Sequence, residues 1–417
     1  MVSQPPKNST WICSQIGARE HFAIPRALRH GGKLAALYTD FWAGPTVRKL
    51  AVGKLRPLAA RHHPDFNDDA KLVRSWNART LGWELLRRKK FSGDQPARSR
   101  YHGFIEVGRR FATCVRDDLQ WRKDLNSDSI FFAYDTGALE TFEWCRQQNL
   151  KCVLNQMDPN RVEVELVRAE EKNWPGWAAQ SLAVPEEYFA RREQEWQLAD
   201  RVVVNSEFSR QALLQQGVPP EKLAVIPLCY EPDGQSPRPQ VPSPKPGEPL
   251  RVLFLGQVIL RKGIQYLMAA ARQLEHEAIH FDVVGPVGIS RAAVSSAPGN
   301  VTFHGRTGRH EAAAWYRRAH LFVLPTLSDG FAITQLEAMA HGLPVVATPN
   351  CGEVVSNGVD GFIVAARDAD ALTNVFRRYL AQPELLPAQS ATATVKARQF
   401  TLARLAKNLA RLEADLK

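Results

Sequence analysis

The stretch LFVLPTLSDGFAITQLEAMAHGLPVVA, at positions 321–347, constrains the fold of this chain more than any other. An apolar run at 321–324 is followed by a polar turn, then by helical periodicity over 332–340, and then by a second apolar run at 344–347. Strand, loop, helix and strand in this order form the repeating unit of a parallel sheet. Ligands of such sheets lie beyond the carboxyl ends of the strands, beside helix N-termini. The loop 326–331 is therefore the predicted ligand site.

Apolar runs alternate with helix-like segments along both halves of the chain. The predicted strands lie at 11–14, 34–39, 129–134, 151–156, 201–206 and 222–228 in the first half, and at 251–256, 281–285, 301–305, 320–325, 344–347 and 361–364 in the second. Strands that alternate with helices form doubly wound parallel sheets, so the predicted fold class is α/β. Residues 43–105 contain few strand signals and predict helices and long loops.

A proline-rich segment divides the chain into two parts. Seven of the 18 residues at 232–249 are proline, and such a run forms neither a helix nor a central strand. It is predicted to be an extended linker between an N-terminal domain, 1–231, and a C-terminal domain, 250–390. A final helix is predicted within 391–417. The length of 417 residues suits two domains.

Two acids lie close to the predicted helix of the 321–347 stretch. Asp329 is on the loop, and Glu337 follows eight residues later, about two helical turns on. They can therefore reach opposite ends of one elongated ligand. The pattern of an acid, seven residues and Glu, continued as EAMAHGLPVV, resembles the signature of the retaining GT-B glycosyltransferases of family four, also called group 1. The first acid of that signature is normally Glu, so Asp329 is one methylene shorter than the family residue.

This resemblance implies a GT-B fold, in which two Rossmann-like, doubly wound domains face a cleft. It also implies a glycosyltransferase of the hexosyltransferase type, which moves a sugar from a nucleotide-sugar donor with retention of configuration and needs neither metal nor cofactor. The donor would bind mainly to the C-terminal domain. The acceptor, a sugar or a lipid-linked sugar of polysaccharide biosynthesis, would bind to the N-terminal domain, onto which the segment 391–417 would pack back. In this family the second acid holds the ribose hydroxyls of the donor, a role that falls to Glu337.

A second motif supplies positive charge for the donor. The run GQVILRKG, after the strand 251–256, resembles the family motif in which a basic pair meets the donor diphosphate, although Gln257 stands where the family often has Arg. Arg261 and Lys262 would stabilise the negative charge that develops on the leaving nucleoside diphosphate. The other expected donor contacts are Gly17, Gly256, Gly305 with the nucleobase lip 304–306, and the backbone N–H groups of Gly330, Phe331 and Ala332 at a helix N-terminus.

The acceptor side of the cleft is defined by fewer residues. Asp158 follows a strand where much of the family has His, and it is a candidate to orient the sugar or the acceptor hydroxyl; the alternative is an Asp-Pro turn. With Arg261, Lys262 and Asp329 it forms the predicted catalytic set. The acceptor-side candidates, which follow the first strand, are Arg19, Glu20 and His21, the last of which is also a second candidate for the base.

No metal site is predicted. The D-x-D sequence at 368–370 lies where a helix begins, and helix capping explains it. The six cysteines are scattered without a C-x-x-C pair, as expected for reduced thiols in a cytoplasmic protein. The N-terminal residues lack the pattern of a signal peptide, and no apolar run approaches the ~20 residues that a membrane-spanning helix needs.

Basic residues are concentrated in the first quarter of the chain. Residues 1–100 hold 19 Lys and Arg against 7 Asp and Glu, whereas the remaining residues hold 35 and 36. Such a block favours an anionic partner, and the cluster LLRRKK at 85–90 beside Trp83 indicates peripheral binding to the inner face of the cell membrane. A solvated basic face without a partner is the alternative. No RNA- or DNA-binding motif accompanies the cluster, so no nucleic-acid partner is expected.

Two other classes of protein fit parts of this pattern. A GT-B phosphorylase or a nucleotide-sugar epimerase would use the same donor pocket, and hydrolysis of a nucleotide sugar without an acceptor would favour the epimerase. A non-catalytic basic protein that binds membranes or nucleic acid, with a relict pocket, would form no product; the departure at Asp329 fits that class. A nicotinamide oxidoreductase is disfavoured because no G-x-G-x-x-G follows a first strand.

Overall fold

The strands form two parallel sheets, one from each half of the chain. The computed structural model describes residues 10–50, 56–90, 96–231 and 241–416. The first sheet consists of β1 (Trp11–Gln15), β2 (Leu34–Thr39), β3 (Val73–Ser75), β4 (Ile130–Tyr134), β5 (Lys151–Asn155), β6 (Arg201–Val204) and β7 (Leu223–Val225). Their spatial order is β3-β2-β1-β4-β5-β6-β7, so the winding of the sheet reverses between β1 and β4.

The second sheet has the same kind of winding. It consists of β8 (Leu250–Leu255), β9 (Ile279–Val284), β10 (Val301–Gly305), β11 (Leu321–Leu324), β12 (Val345–Ala347) and β13 (Gly361–Ile363). The spatial order is β10-β9-β8-β11-β12-β13, with the reversal between β8 and β11. The two sheets confirm the predicted α/β class.

Helices connect the strands and cover both faces of the sheets. Those of the first half are α1 (Ala23–His30), α2 (Pro45–Leu50), α3 (Arg56–Ala59), α4 (Asn77–Lys90), α5 (Pro96–Leu119), α6 (Leu139–Gln147), α7 (Arg161–Asn173), α8 (Glu186–Leu198) and α9 (Glu207–Gln215). Those of the second half are α10 (Ile264–Gln273), α11 (Arg291–Ser295), α12 (Arg309–Arg318), α13 (Ile333–Ala340), α14 (Ala369–Ala381), α15 (Leu385–Ala397) and α16 (Leu402–Ala414). Strand β1 is buried on both faces, since Trp11 and Cys13 lie in one apolar core and Ile12 lies in the other. A parallel sheet buried on both faces has this pattern.

The C-terminal segment forms two helices where the sequence predicts one. Helix α15 packs on α13 of the second domain, whereas α16 packs on α1 of the first. The break lies at Phe400 and Thr401: Phe400 is buried, and the Thr401 hydroxyl accepts a hydrogen bond from the Arg404 N–H (3.2 Å) and caps α16. The apolar face of α16, with Leu405 and Leu409, joins the core of the first domain. Packing onto the first domain therefore belongs to α16 and not to the whole segment 391–417.

Strand β3 and helix α7 are among the elements that the sequence-based prediction lacks. Strand β3 has three residues, too few to give a periodic signal. Helix α7 begins with RVEVEL, which alternates polar and apolar residues in the manner of a strand and so hides the helix.

The segment 161–179, here called the crossing segment, extends from the first domain onto the second. Trp174 and Trp177 pack against the apolar core of the second domain. The Ser290 N–H donates to the Trp177 carbonyl (2.7 Å), and Ala178 forms an antiparallel bridge with Ile289. The crossing segment thus joins the two domains at a point that is distant along the chain from the 232–249 linker. Residues 232–240 of that linker lie outside the described part.

Candidate active site

The predicted donor loops lie at the switch point of the second sheet. Strand β8 leads through Gly256 into the turn Leu260–Lys262, and the neighbouring β11 leads through Pro325 into the loop 326–332. Gly263 has a φ of 73°, and a Cβ there would lie 1.8 Å from the Pro325 carbonyl oxygen. Only glycine allows the two loops to approach so closely. This edge of the sheet is where doubly wound proteins bind ligands.

The two loops bring both predicted cations and one predicted acid together. Lys262 forms an ion pair with Asp329. The Arg261 guanidinium donates to the Ser328 carbonyl (2.9 Å) and to the carboxylate of Glu163 (3.3 Å), which belongs to α7 of the first domain. The Ser328 hydroxyl donates to the same Glu163 oxygen (2.8 Å). The side chains around Arg261 and Lys262 therefore come from both domains.

Asp158 faces this site from the first domain. A Cβ on Gly330 would lie 1.9 Å from the Met157 carbonyl oxygen and 3.7 Å from the Asp158 Cα, so the loops of the two domains are in direct contact. One Asp158 carboxylate oxygen accepts from the Arg192 guanidinium (2.7 Å) and from the Asn160 N–H (2.9 Å). Burial alone would raise the pKa of Asp158, but the Arg192 charge and these hydrogen bonds lower it. Asp158 is accordingly an ionised carboxylate at neutral pH.

The first loop of the N-terminal domain holds Glu20 at the switch point of its sheet. The Glu20 carboxyl group accepts from the Tyr134 hydroxyl (3.0 Å) and the Asn155 amide (3.3 Å), which lie at the carboxyl ends of β4 and β5. Burial raises the pKa of Glu20 to about 7. Glu20, His21 and Phe22 have φ values of 48°, 54° and 61°. Left-handed backbone at consecutive non-glycine residues is strained, and such strain clusters at functional sites.

The other two residues of this loop that were predicted lie beside Glu20. Arg19 is exposed, and His21 is half-buried next to it. Gly17, with a φ of 79°, precedes them, and its N–H donates to the Asp40 carboxylate (2.8 Å). That contact holds the loop at the end of β2. It also means that the Gly17 N–H already has an acceptor within the protein.

Glu337 lies on α13 and is held by the neighbouring helix. Its carboxylate accepts from the Tyr316 hydroxyl (2.8 Å), and the Tyr316 ring is buried and stacked on His341 with ring centres 5.0 Å apart. The His341 ring nitrogen in turn contacts the Glu337 carbonyl (2.8 Å). These contacts restrict the rotamers of Glu337 and fix the direction of its carboxylate.

An open cavity of about 460 Å³ lies beyond the ends of β9 and β10. It is lined in part by His304, Arg306, Trp315 and Arg318. The His304 ring contacts Asp282 (2.8 Å) and packs on the Trp315 ring with centres 4.3 Å apart. Gly305, with a φ of 70°, turns the chain at this rim. The predicted nucleobase lip thus borders a cavity with aromatic and basic walls.

One of the expected backbone donors at the start of α13 has an acceptor inside the protein. The Ala332 N–H donates to the Cys351 carbonyl (3.0 Å), so the prediction that it serves the donor does not fit the structure. The sequence places Ala332 at a helix start, where N–H groups lack intrahelical partners, but the loop at 349–351 supplies one. Phe331 is buried with its ring 6.1 Å from that of Phe400, so its side chain belongs to the core.

Two acids of α7 were missed by the sequence analysis. Glu163 meets Arg261, as described above. Glu170 is fully buried and accepts from the Gln265 amide (2.9 Å), the Tyr266 hydroxyl (2.8 Å) and the Arg367 guanidinium (2.6 Å), all of the second domain. The available signal was the spacing, because acids seven residues apart lie on one face of a helix. Without the helix itself, this signal could not be used.

Several predicted features concern metals and membranes. In the described ranges no three His, Cys, Asp or Glu side chains are grouped so that they could hold a metal ion. The six cysteines are free and buried. Among the described residues no helix combines the length and apolar character that a membrane crossing needs. The basic cluster at 87–90 ends α4, but its side chains lie outside what the structure describes.

The two facing Rossmann-like domains define the GT-B class of fold. The structure is similar to sucrose-phosphate synthase from Thermosynechococcus elongatus over 98% of this chain and 99% of the other, with a TM-score of 0.64 at 18% sequence identity. At this identity the similarity establishes the fold alone, and it confirms the GT-B fold that the sequence predicts.

The second domain is similar to a known family of glycosyltransferases. Residues 249–382 match the model of the glycosyl transferases group 1, which confirms the resemblance of this part of the sequence to that group. A D-inositol 3-phosphate glycosyltransferase of Streptomyces griseus is 33% identical over 118 residues, 28% of this chain and 25% of that protein. The putative colanic acid biosynthesis glycosyltransferase WcaL of Escherichia coli K12 is 28% identical over 210 residues, 46% of this chain and 50% of that protein. The chain thus spans a quarter to a half of the length of these curated relatives.

Proposed function

We propose that the protein transfers a sugar, with retention of configuration and without a metal ion, from a nucleotide sugar in the second domain to an acceptor in the first. The observation that carries the proposal is the meeting of Arg261, Lys262 and Asp329 at the switch point of a group 1 glycosyltransferase domain, opposite Asp158. Fixed cations at this position stabilise the charge that develops on a leaving diphosphate.

The remaining donor contacts follow from the same placement. Glu337, oriented by Tyr316, accepts hydrogen bonds from the ribose hydroxyls. The cavity beside His304 and Arg306 takes the nucleobase, which stacks against its aromatic wall. Asp329, on the loop 326–332 and paired with Lys262 of the other loop, contacts the transferred sugar.

Glu20 and Asp158 act on the acceptor side. A carboxyl group with a pKa of about 7 exchanges protons readily at neutral pH, which suits Glu20 to accept the proton of the attacking hydroxyl. Asp158 remains ionised beside Arg192 and orients the sugar. The name of the WcaL relative supports an acceptor of polysaccharide biosynthesis, either a sugar or a lipid-linked sugar.

The Glu337→Gln variant tests the donor site. The amide accepts hydrogen bonds less well than the carboxylate, so we expect a loss of about 1.5–3 kcal/mol, or roughly 10- to 150-fold in affinity. The wild-type protein is first screened by thermal shift against UDP-, GDP-, ADP- and TDP-sugars, because a bound ligand raises the melting temperature. Calorimetry then compares the affinity of the two proteins for the sugar nucleotide that binds.

Glu384→Gln is the matched control, because Glu384 is an exposed acid of the same domain. It is expected to bind like the wild type. Equal binding by Glu337→Gln would remove Glu337 from the site. An activity assay separates the proposed transferase from a non-catalytic protein. The transferase should form product only when both donor and acceptor are present, and it should still do so in EDTA. Donor turnover without an acceptor would instead indicate an epimerase or a hydrolase.

We further propose that α4 places the protein on an anionic membrane surface. Leu81, Leu85 and Leu86 of this helix are 44%, 66% and 62% exposed, although they are large apolar side chains. The sequence continues directly into Arg-Arg-Lys-Lys at 87–90, within the basic first quarter. Such a helix binds an anionic leaflet in two ways: its apolar side chains enter the membrane interface, and its cations contact the lipid headgroups. Each cation contributes up to about 1 kcal/mol to the binding free energy.

Co-sedimentation with vesicles tests this second proposal. Binding to vesicles with anionic lipid is expected to exceed binding to neutral vesicles several-fold and to fall as salt rises, since screening weakens the attraction. A variant with glutamine at 85–90 should lose most of this binding. Val359→Gln is the control, because Val359 is an exposed apolar residue of the second domain (53%). Equal sedimentation with both vesicle types would refute the proposal.

A further inference from the structure

Glu163 is an acid of the first domain that lies at the phosphate-binding cation of the second. One of its carboxylate oxygens accepts from the Ser328 hydroxyl (2.8 Å) and from the Arg261 guanidinium (3.3 Å). A phosphate oxygen is the same kind of acceptor, and it binds guanidinium and hydroxyl donors with the same geometry. The Glu163 carboxylate therefore occupies two donors that could equally bind a phosphate oxygen.

We infer that Glu163 competes with the donor diphosphate for Arg261, and that it thereby limits how tightly the site holds a nucleoside diphosphate. This inference rests on the proposed function, because it takes Arg261 as a diphosphate ligand. Glu163 acts through Arg261 and is a positioning residue. Its effect is to keep Arg261 aimed into the cleft and to ease departure of the nucleoside diphosphate after the sugar has been transferred.

The charges around Arg261 show why one carboxylate must withdraw. Burial disfavours the charge of Arg261, but the nearby carboxylates of Glu163, Asp329 and Asp158 raise its pKa. A diphosphate adds two or more negative charges to a site that is partly shielded from water, where repulsion between like charges is strong. Bound diphosphate and three carboxylates cannot all share the nearby cations, so the carboxylate that is held most weakly gives way.

Glu163 is the carboxylate that can leave at the lowest cost. Asp158 has its own cation in Arg192, at 2.7 Å, and Asp329 is paired with Lys262. The contact of Glu163 with Arg261 is longer, at 3.3 Å, and its other partner is the uncharged Ser328 hydroxyl, at 2.8 Å. The rest of α7 stays in place because Glu170, two turns further along, is bound to three side chains of the second domain. Withdrawal therefore requires a rotation of the Glu163 side chain and no movement of the helix.

Calorimetric titration of the full chain with UDP, GDP, ADP, TDP and inorganic pyrophosphate tests the inference. Glu163→Gln removes the charge and nearly keeps the shape, and we expect it to bind the preferred nucleoside diphosphate about 5- to 20-fold more tightly than the wild type. Glu163→Ala should change the affinity in the same direction, which covers the case of a glutamine variant that folds poorly. Glu165→Gln is the matched control: Glu165 is exposed on the same helix, and its loss should leave the affinity unchanged.

Steady-state kinetics give a second readout that a structural role would not produce. In Glu163→Gln the donor KM and the inhibition constant of the nucleoside diphosphate should both fall, and kcat should fall with them because the product leaves more slowly. Affinity that is unchanged or weaker in both Glu163 variants would overturn the inference and leave the proposed function standing. A wild-type protein that binds none of the four nucleoside diphosphates would overturn the proposed function itself.

Discussion

The Arg261→Ala, Lys262→Ala double variant is expected to lose about 10²- to 10⁴-fold in kcat at saturating donor. Each charge-assisted hydrogen bond contributes about 1.5–3 kcal/mol, and about 1.4 kcal/mol corresponds to a factor of ten in rate. The two cations are needed most when the diphosphate departs with its negative charge, so their removal raises the barrier of the chemical step more than it weakens binding of the intact donor.

Turnover of this variant is measured with the donor that the thermal-shift screen selects. An Arg291→Ala, Arg398→Ala variant is the control, because both arginines are exposed, one in the second domain and one at the end of α15, and carry the same total charge. It should keep wild-type kcat. Circular dichroism is used to show that the double variant is folded, since Asp329 and Glu163 lose their partners. Near-wild-type turnover in a folded Arg261→Ala, Lys262→Ala protein would rule out the role in departure of the leaving group.

Gly330→Ala is expected to lower kcat/KM by about 100-fold or more through a steric effect alone. The added Cβ would lie 1.9 Å from the Met157 carbonyl oxygen and 3.0 Å from its carbon. Both are backbone atoms, which cannot rotate away as a side chain can, so the two domains have to separate. A displacement of about 1 Å at reacting groups costs about 100-fold in rate. Each domain should still fold, because the clash lies between the domains.

The two effects of Gly330→Ala are measured together. Small-angle scattering should give a larger radius of gyration than for the wild type, and kinetics should give the lower kcat/KM. Gly44→Ala serves as the control, since a Cβ at Gly44 meets nothing within 4 Å. An alanine variant at 330 with unchanged dimensions and unchanged kinetics would show that the contact between Gly330 and Met157 is not required for activity.

The local sequence pattern was sufficient to predict most strands of the two sheets and the positions of the loops that follow β8 and β11. Apolar runs such as 251–256 and 321–324 are buried strands of a parallel sheet, and their length and the Gly256 or Pro325 at their ends indicate this without any tertiary information. The residues that follow them, Arg261, Lys262 and Asp329, must then meet, because neighbouring strands end at the same edge. For this part of the site, position along the chain determines position in space.

The contributions of the first domain to the site could not be predicted in the same way. Glu163 and Glu170 act on residues about 95 to 200 positions away in the sequence, and no local pattern encodes such a contact. The interruption between helices α15 and α16 at Phe400 could not be predicted either. It depends on where Phe400 is buried and on the direction in which α16 packs on the first domain. These features follow from the packing of the domains against each other, which a single sequence does not reveal.

The two domains exchange elements, and this affects how such proteins can be recombined. The crossing segment of the first half is anchored in the second domain through Glu170 and Trp177, and α16 of the second half is anchored in the first through its leucines. A chimera joined at the proline-rich linker would separate each of these elements from its core. A recombinant that is to carry the second domain of a relative should therefore take 161–179 together with that domain and keep 402–416 with the first. The modular units of this protein are thus interleaved along the chain and are not two consecutive blocks.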